Sequence, residues 1–247
     1  MFFHHDHLKL YYQKSGHGPA IILLHGNGED HTLFADLITY LAPHYTVIAL
    51  DSRDHGQSSA TDRLSYDAMT SDVSALITEL ELARPIILGF SDGGIIALLL
   101  AIRHPEQVGA LIVAGANLTP QGLRWYSRIL FRIAAGHRPS PKLAMMLHEP
   151  QITPQMLHRI TVPTLVLAGS RDLITRKETF TIASSIQNAE LHILPGENHN
   201  SYIRDNHKLW HLIRPFLAGL YRSKKGRKIR DNRWRKKISS ELRGWFI

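Results

Sequence analysis

The sequence contains no cysteine. Disulfides, thiolate zinc sites and a cysteine nucleophile are therefore excluded. Long hydrophobic runs are missing as well: the longest, Ile95 to Ile102, is eight residues, far short of a bilayer span. The opening Met-Phe-Phe-His-His-Asp-His has neither a basic n-region nor an apolar h-region, so no secretory signal is expected and the expected location is the cytoplasm. No internal repeat or low-complexity stretch interrupts the chain. With 247 residues, 44% of them hydrophobic and 20% charged, the chain has ordinary globular composition and is long enough to bury a full core.

The net charge of +8 is unevenly distributed. Residues 222–247 hold eleven Lys and Arg against Asp231 and Glu241, while the other 221 residues hold eighteen basic and nineteen acidic groups. The body is thus nearly neutral and offers no basic face, which disfavours a nucleic-acid partner. In the tail, Trp234, Ile238, Leu242 and Trp245 recur at helical spacing among Arg and Lys. This basic amphipathic pattern fits contact with an anionic membrane surface. A disordered tail, and packing of the stripe on the body or on a second subunit, are the competing readings, and the oligomeric state is left open.

Short apolar runs alternate with amphipathic stretches. Strands are expected at Ala20–Leu24, Thr46–Leu50, Pro85–Leu88, Val108–Ala114, Thr164–Ala168 and Leu191–Leu194, because such runs suit strands covered on both faces. Helices are expected over 31–42, 66–82, 92–103, 176–187 and about 201–220, from apolar residues at i, i+3 and i+4. Residues 3–14 alternate loosely and end at Ser15-Gly16-His17-Gly18-Pro19, which suggests a hairpin turn. The fold class is α/β, a mainly parallel sheet with helices on both faces. Residues 117–160, rich in Pro and lacking a strand pattern, are too long for a loop. They are expected to form a small helical cap inserted between core segments 1–116 and 161–220, with 221–247 as a basic tail.

The chemistry centres on Gly89-Phe90-Ser91-Asp92-Gly93. Between a strand and a helix, G-x-S-x-G is a nucleophile elbow, a cramped turn that projects the serine at a helix N-terminus. A serine hydroxyl needs a base, and the base an orienting carboxylate. Order along the chain and position after later strands select Asp172 and His199, with Glu197 as the nearby rival acid. The oxyanion donors are expected to be the backbone N–H groups of Asn27 and Asp92. The Asp92 side chain is expected to cap the helix, and His25 to fasten its own loop. His4-His5-Asp6-His7 is read as surface strand rather than metal site, since neighbours on a strand alternate faces. Neither metal nor cofactor is called for. The segment 117–160 supplies Leu118, Leu123, Leu130 and Phe131, together with Trp125, Tyr126, Met145 and Met146. Together the eight suggest an apolar acyl or aryl pocket, and the last four are expected to line it.

The motifs His25-Gly26-Asn27-Gly28, Asp51-Ser52-Arg53-Asp54-His55-Gly56-Gln57-Ser58, the elbow at Ser91, Gly169-Ser170-Arg171-Asp172 and Pro195-Gly196-Glu197-Asn198-His199 together resemble the α/β-hydrolase fold, in its branch of small cap-bearing serine esterases and lactonases. The resemblance covers roughly residues 8–220. It implies a Ser91–His199–Asp172 triad and hydrolysis of a small-molecule ester or lactone through an acyl-enzyme. The Ser-Asp-Gly-Gly elbow also resembles those of amino-acid ester hydrolases, without naming a substrate. One departure stands out: Asp54 occupies the place where the family's motif has glycine. Carbon–carbon, thioester or amide hydrolysis and cofactor-free peroxide chemistry use the same triad. A ligand-binding protein that lost turnover shares the fold too.

Overall fold

A computed structural model describes residues 1–224 of the chain. Its first strands, β1 (Phe2–His5) and β2 (Leu8–Ser15), form a hairpin. The hairpin turns at Asp6 and His7, both at positive φ (49° and 62°), as a two-residue turn that matches strand twist requires. The turn expected at Gly16–Pro19 is instead a crossing. There β2 pairs antiparallel with β4 (Thr46–Leu50), and β3 (Ala20–Leu24) lies on the far side of β4. Alternation marked the strands but carried no information on pairing.

The remaining strands are β5 (Ile86–Phe90), β6 (Ala110–Ala114), β7 (Thr164–Gly169) and β8 (Ala189–Leu194). All are parallel to β3 and β4, and the sheet runs β1-β2-β4-β3-β5-β6-β7-β8. Alternate strand residues feed two cores, because successive side chains point to opposite faces. Ile22, Leu24, Ile87, Leu111 and Val166 meet α2 (Tyr66–Glu79), α3 (Asp92–Arg103) and α7 (Arg176–Ser185) on one face. Ile21, Leu23, Leu88, Ile112 and Leu165 meet α1 (Ala35–Leu41) and α9 (Asn206–Lys224) on the other.

Segment 117–160 contains α4 (Trp125–Ala135), α5 (Pro141–His148) and α6 (Pro154–Leu157). Pro141 and Pro154 occupy first turns, where the missing N–H costs nothing. The helix expected over 201–220 is broken at Asp205 into α8 (Ser201–Arg204) and α9. Asn206 explains the break. Its Nδ2 donates to the Ile203 carbonyl at 2.9 Å, and its Oδ1 accepts from the Leu37 N–H at 2.8 Å, tying α9 to α1. Among the described residues no helix is long and apolar enough to cross a membrane. Beyond Lys224, the basic amphipathic stretch expected in the tail lies outside the described residues.

Strand order reverses between β3 and β5, since β4 flanks one side and β6 the other. Loops leaving the carboxyl ends of β3 and β5 therefore diverge and leave a crevice, where ligands of open α/β sheets bind. The loop after β4 is locked to the body by a buried ion pair: Arg53 Nε and Nη2 each donate to Asp72 of α2 at 2.7 Å. Both side chains are almost wholly buried, so removing one partner strands the other's charge. Arg53→Ala is expected to cost about 3–5 kcal/mol, measurable by urea denaturation. A change below 1 kcal/mol would show that the pair is dispensable.

Candidate active site

The crevice is built from backbone outward. Ser91 ends β5 with φ 52° and ψ −114°, a strained conformation for a non-glycine residue. The turn exists only because its flanks have no Cβ. A Cβ on Gly89 would lie 2.1 Å from the Gly93 carbonyl oxygen, and one on Gly93 would lie 2.1 Å from that of Leu24. The Ser91 N–H donates to the Ala114 carbonyl at 2.8 Å, which fixes the turn against β6.

His199 follows β8 and Asp172 follows β7. The His199 Nδ1–H donates to Asp172 Oδ1 at 2.7 Å, and the Ser91 hydroxyl lies 3.1 Å from His199 Nε2. The carboxylate contact sets the tautomer, leaving the Nε2 lone pair to accept from the hydroxyl. Asp172 is buried and is oriented by the Ile174 N–H at 2.9 Å. The Arg124 side chain braces the Asp172 carbonyl at 2.7 Å. Glu197, the rival acid, turns elsewhere: its carboxylate accepts from Lys208 at 2.7 Å and from the Ser201 hydroxyl at 2.5 Å.

Asn27 and Asp92 line the same pocket as Ser91. Among the described residues neither backbone N–H has an acceptor within the chain, so both are available to a ligand oxygen. The Asp92 side chain does not cap α3 as expected. It is buried, accepting from Tyr66 Oη and from Asn27 Nδ2, both at 2.9 Å. Two good donors inside the core outcompete a helix cap. Burial pushes the Asp92 carboxyl above its ordinary pKa, against these two hydrogen bonds. Burial and the neighbouring Asp92 likewise hold the Tyr66 phenol well above its usual value. His25 fastens its loop: Nδ1–H donates to the Gly26 carbonyl at 2.7 Å and Nε2 accepts from the Ser52 N–H at 3.0 Å. Its burial lowers its pKa to about 4, which keeps the ring neutral at physiological pH.

A cavity of about 200 Å³ opens over Ser91, walled by Leu123, Phe131, Met146, Leu173 and Ile174, with Glu29, Asn117 and Asn200 as polar lining. The expectation for the lining is therefore corrected at three of its four positions. Met146 reaches the cavity, whereas Met145 packs in the main core, and Trp125 and Tyr126 are 67% and 43% exposed. Adjacent residues on a helix point about 100° apart, and composition alone does not give the phase. Asp54 sits at φ 61°, which accounts for the family's glycine there. Its carboxylate instead reaches Lys142 of α5 at 2.5 Å, tying that helix to the core.

Sequence reasoning missed three participants. Glu29 accepts from the Gly26 N–H at 3.1 Å beside Ser91, and burial raises its pKa. Tyr66 supports Asp92 from α2. Gly115, at φ 61°, lies against the imidazole: a Cβ there would be 2.9 Å from His199 Cε1. Only for Gly115 was a signal present, as a glycine directly following a buried strand. The Asp30, His31 and Asp51 side chains also converge, but His31 Nδ1 and N–H already bond Asp51 Oδ1, at 2.8 and 2.7 Å.

A family model for the alpha/beta hydrolase fold matches residues 19–134. Serine hydrolase BPHL of Homo sapiens is 28% identical over 242 residues, covering 85% of this chain and 83% of that one. Among solved structures, the N-acyl homoserine lactone degrading enzyme Est816 superposes with a TM-score of 0.75 at 23% identity, over 87% of this chain and all of that one. The enol-lactonase from Burkholderia xenovorans LB400 gives 0.74 at 20% identity, over 88% of this chain and all of that one. With its sheet order, elbow and convergent loops, the chain has the α/β-hydrolase fold, and over most of its length it is similar to proteins named as hydrolases.

The imidazole contact makes Gly115 a sensitive probe. Gly115→Ala is expected to displace the ring and lower hydrolytic turnover on the order of 100-fold, while the left-handed backbone costs about 1–3 kcal/mol of stability. Paired kinetics and thermal melts check this. Unchanged turnover would mean that the ring position does not matter.

Proposed function

We propose that the chain is a serine hydrolase that cleaves a carboxylic ester or lactone through an acyl-enzyme on Ser91. The observation that carries this reading is the continuous chain of contacts from Asp172 Oδ1 to His199 Nδ1 (2.7 Å) and from His199 Nε2 to Ser91 Oγ (3.1 Å). Ser91 Oγ attacks the carbonyl carbon while His199 Nε2 takes its proton. The resulting oxyanion accepts from the N–H groups of Asn27 and Asp92 at the positive end of α3. The bond to the leaving alkoxy oxygen then breaks, and His199 returns the proton to it. For a lactone that alcohol stays attached to the acyl chain. Water attacks the acyl-enzyme, gives its proton to His199, and the acid departs as Ser91 recovers its hydrogen. Asp172 holds the tautomer and stabilises the imidazolium without itself being protonated.

The pocket supports an apolar acyl or aryl group, since Leu123, Phe131, Met146 and Ile174 surround the serine. In this reading the segment 117–160 is the cap, with Asn117, Leu123, Phe131 and Met146 as its contribution to the pocket lining. An ester or lactone is favoured as substrate by the apolar side chains beside the serine and by relatives whose names denote a serine hydrolase and a lactone degrading enzyme. No cofactor is needed, because every proton and electron pair in the cycle is held by the triad, the substrate or water.

Ser91→Ala leaves no core cavity and is expected to lower kcat for an activated ester by about 10⁶-fold with the fold unchanged. Retained turnover in protein free of contaminating esterase would contradict the reading. Asp172→Asn is expected to cost about 10⁴-fold by favouring the wrong tautomer, whereas Glu197→Gln leaves turnover nearly unchanged. Exchange of these two phenotypes would transfer the role to Glu197.

A further inference from the structure

Helix α4 has two unlike sides. Phe131, Ser127 and Ala135 share the side that faces the pocket and body. The opposite side presents Trp125, Leu130 and Ile133 at 67%, 62% and 72% exposure, with Ile129 and Tyr126 also exposed. At roughly 100° per residue these five occupy an arc of about 140°. Single exposed apolar residues are ordinary on a protein surface, but a contiguous stripe of five on one helix marks an interaction site.

Charge restricts the partner. Between Glu106 and Glu149 the sequence has no Asp or Glu, yet it holds Arg124, Arg128, Arg132, Arg138 and Lys142. Lys142 is paired with Asp54, and Arg124 is held by the Asp172 carbonyl. Arg132 and Arg138 are exposed, and Arg128 and Arg132 border the stripe along one edge. A second copy would set two such cationic segments against each other. The segment 225–247, which is itself strongly basic, would be repelled in the same way. The partner that fits is anionic. The stripe begins with an aromatic pair, Trp125 and Tyr126, whose rings pack edge to face at 5.9 Å. Protruding aliphatic residues follow. Aromatics at headgroup depth, aliphatic chains below them and guanidinium groups on long apolar stems beside them match the layers of a lipid interface.

We infer that α4 docks the protein on an anionic phospholipid surface. Trp125, Ile129, Leu130 and Ile133 enter the boundary between headgroups and acyl chains, and Arg128, Arg132 and Arg138 pair with lipid phosphates. This surface lies on the reverse of the pocket wall and does not depend on the identity of the substrate.

Co-sedimentation of the full chain tests the inference, using vesicles of phosphatidylcholine with and without phosphatidylserine. Binding is expected only to the phosphatidylserine vesicles and weakens as salt rises. A Leu130→Glu, Ile133→Glu variant is expected to bind at least about tenfold more weakly, with circular dichroism and melting temperature unchanged. If that variant misfolds, Arg132→Ala with Arg138→Ala provides the comparison and is also expected to weaken binding. Absence of vesicle binding at low salt would overturn the inference and leave an acidic protein as the partner the charge fits. Equal binding to neutral vesicles, or undiminished binding by the arginine variant, would overturn it as well.

Discussion

The site depends on one close approach of backbones. The carbonyl of Leu24 at the end of β3 and the first turn of α3 come so near that position 93 has no room for a Cβ. Position 89 is equally closed against the Gly93 carbonyl. This contact lets α3 begin directly behind β5 and forces Ser91 into its strained turn. The strain is held by the sheet, since β5 is bonded to β3 on one side and to β6 on the other. The same approach brings the loop after β3 beside the serine. Asn27 and Asp92, whose N–H groups have no acceptor among the described residues, therefore line the same pocket as a hydroxyl that already faces an imidazole acceptor. The geometry of the candidate site follows from packing of main chain, and side chains complete it.

Around that centre the polar residues divide by burial. His25, with its pKa lowered to about 4, stays neutral and acts as a strut between two loops. Asp92 is wholly buried but carries two donors, and its raised pKa reflects a desolvation that those donors offset only in part. His25 and Asp92 respond oppositely to acid. The unfolded chain's His25 protonates near pH 6.5, so this group withdraws stability as pH falls toward 4. Asp92, with a raised pKa, binds its proton more readily folded than unfolded and works in the other direction. The loop bearing Arg53 and Asp54 contributes two further ties, one to α2 through Asp72 and one to α5 through Lys142. Through Asp54 the motif departure read from the sequence becomes a link between the core and a helix whose Met146 lines the pocket.

Much of this was legible beforehand because the signals are short-range and steric. Apolar runs marked the central strands, and Gly89 and Gly93 marked the elbow. Chain order then singled out Asp172 and His199, which the fold brings to 2.7 Å of each other and His199 to 3.1 Å of Ser91. What was not legible depends on phase and partner. Nothing in the alternation of residues 3–14 said that β2 would pair with β4, or that Asp6 and His7 would make the turn. Composition gave an apolar segment at 117–160. It did not show that Met146 faces the cavity while Met145 faces the core and Trp125 faces outward. The side chain of Asp92 could not be placed without Tyr66, which is 26 residues away in sequence and 2.9 Å away in the fold.

The central claim is that this fold makes Ser91 a nucleophile, and covalent chemistry at that atom tests it most directly. A fluorophosphonate reacts with a serine activated by a neighbouring base and leaves other hydroxyls largely untouched. The full chain would be treated with the reagent, digested, and mapped by tandem mass spectrometry. The account requires one adduct per chain, located on Ser91, and no adduct when the protein is first unfolded in urea. An unmodified Ser91 in folded protein, or equal labelling of folded and unfolded chains, would contradict it.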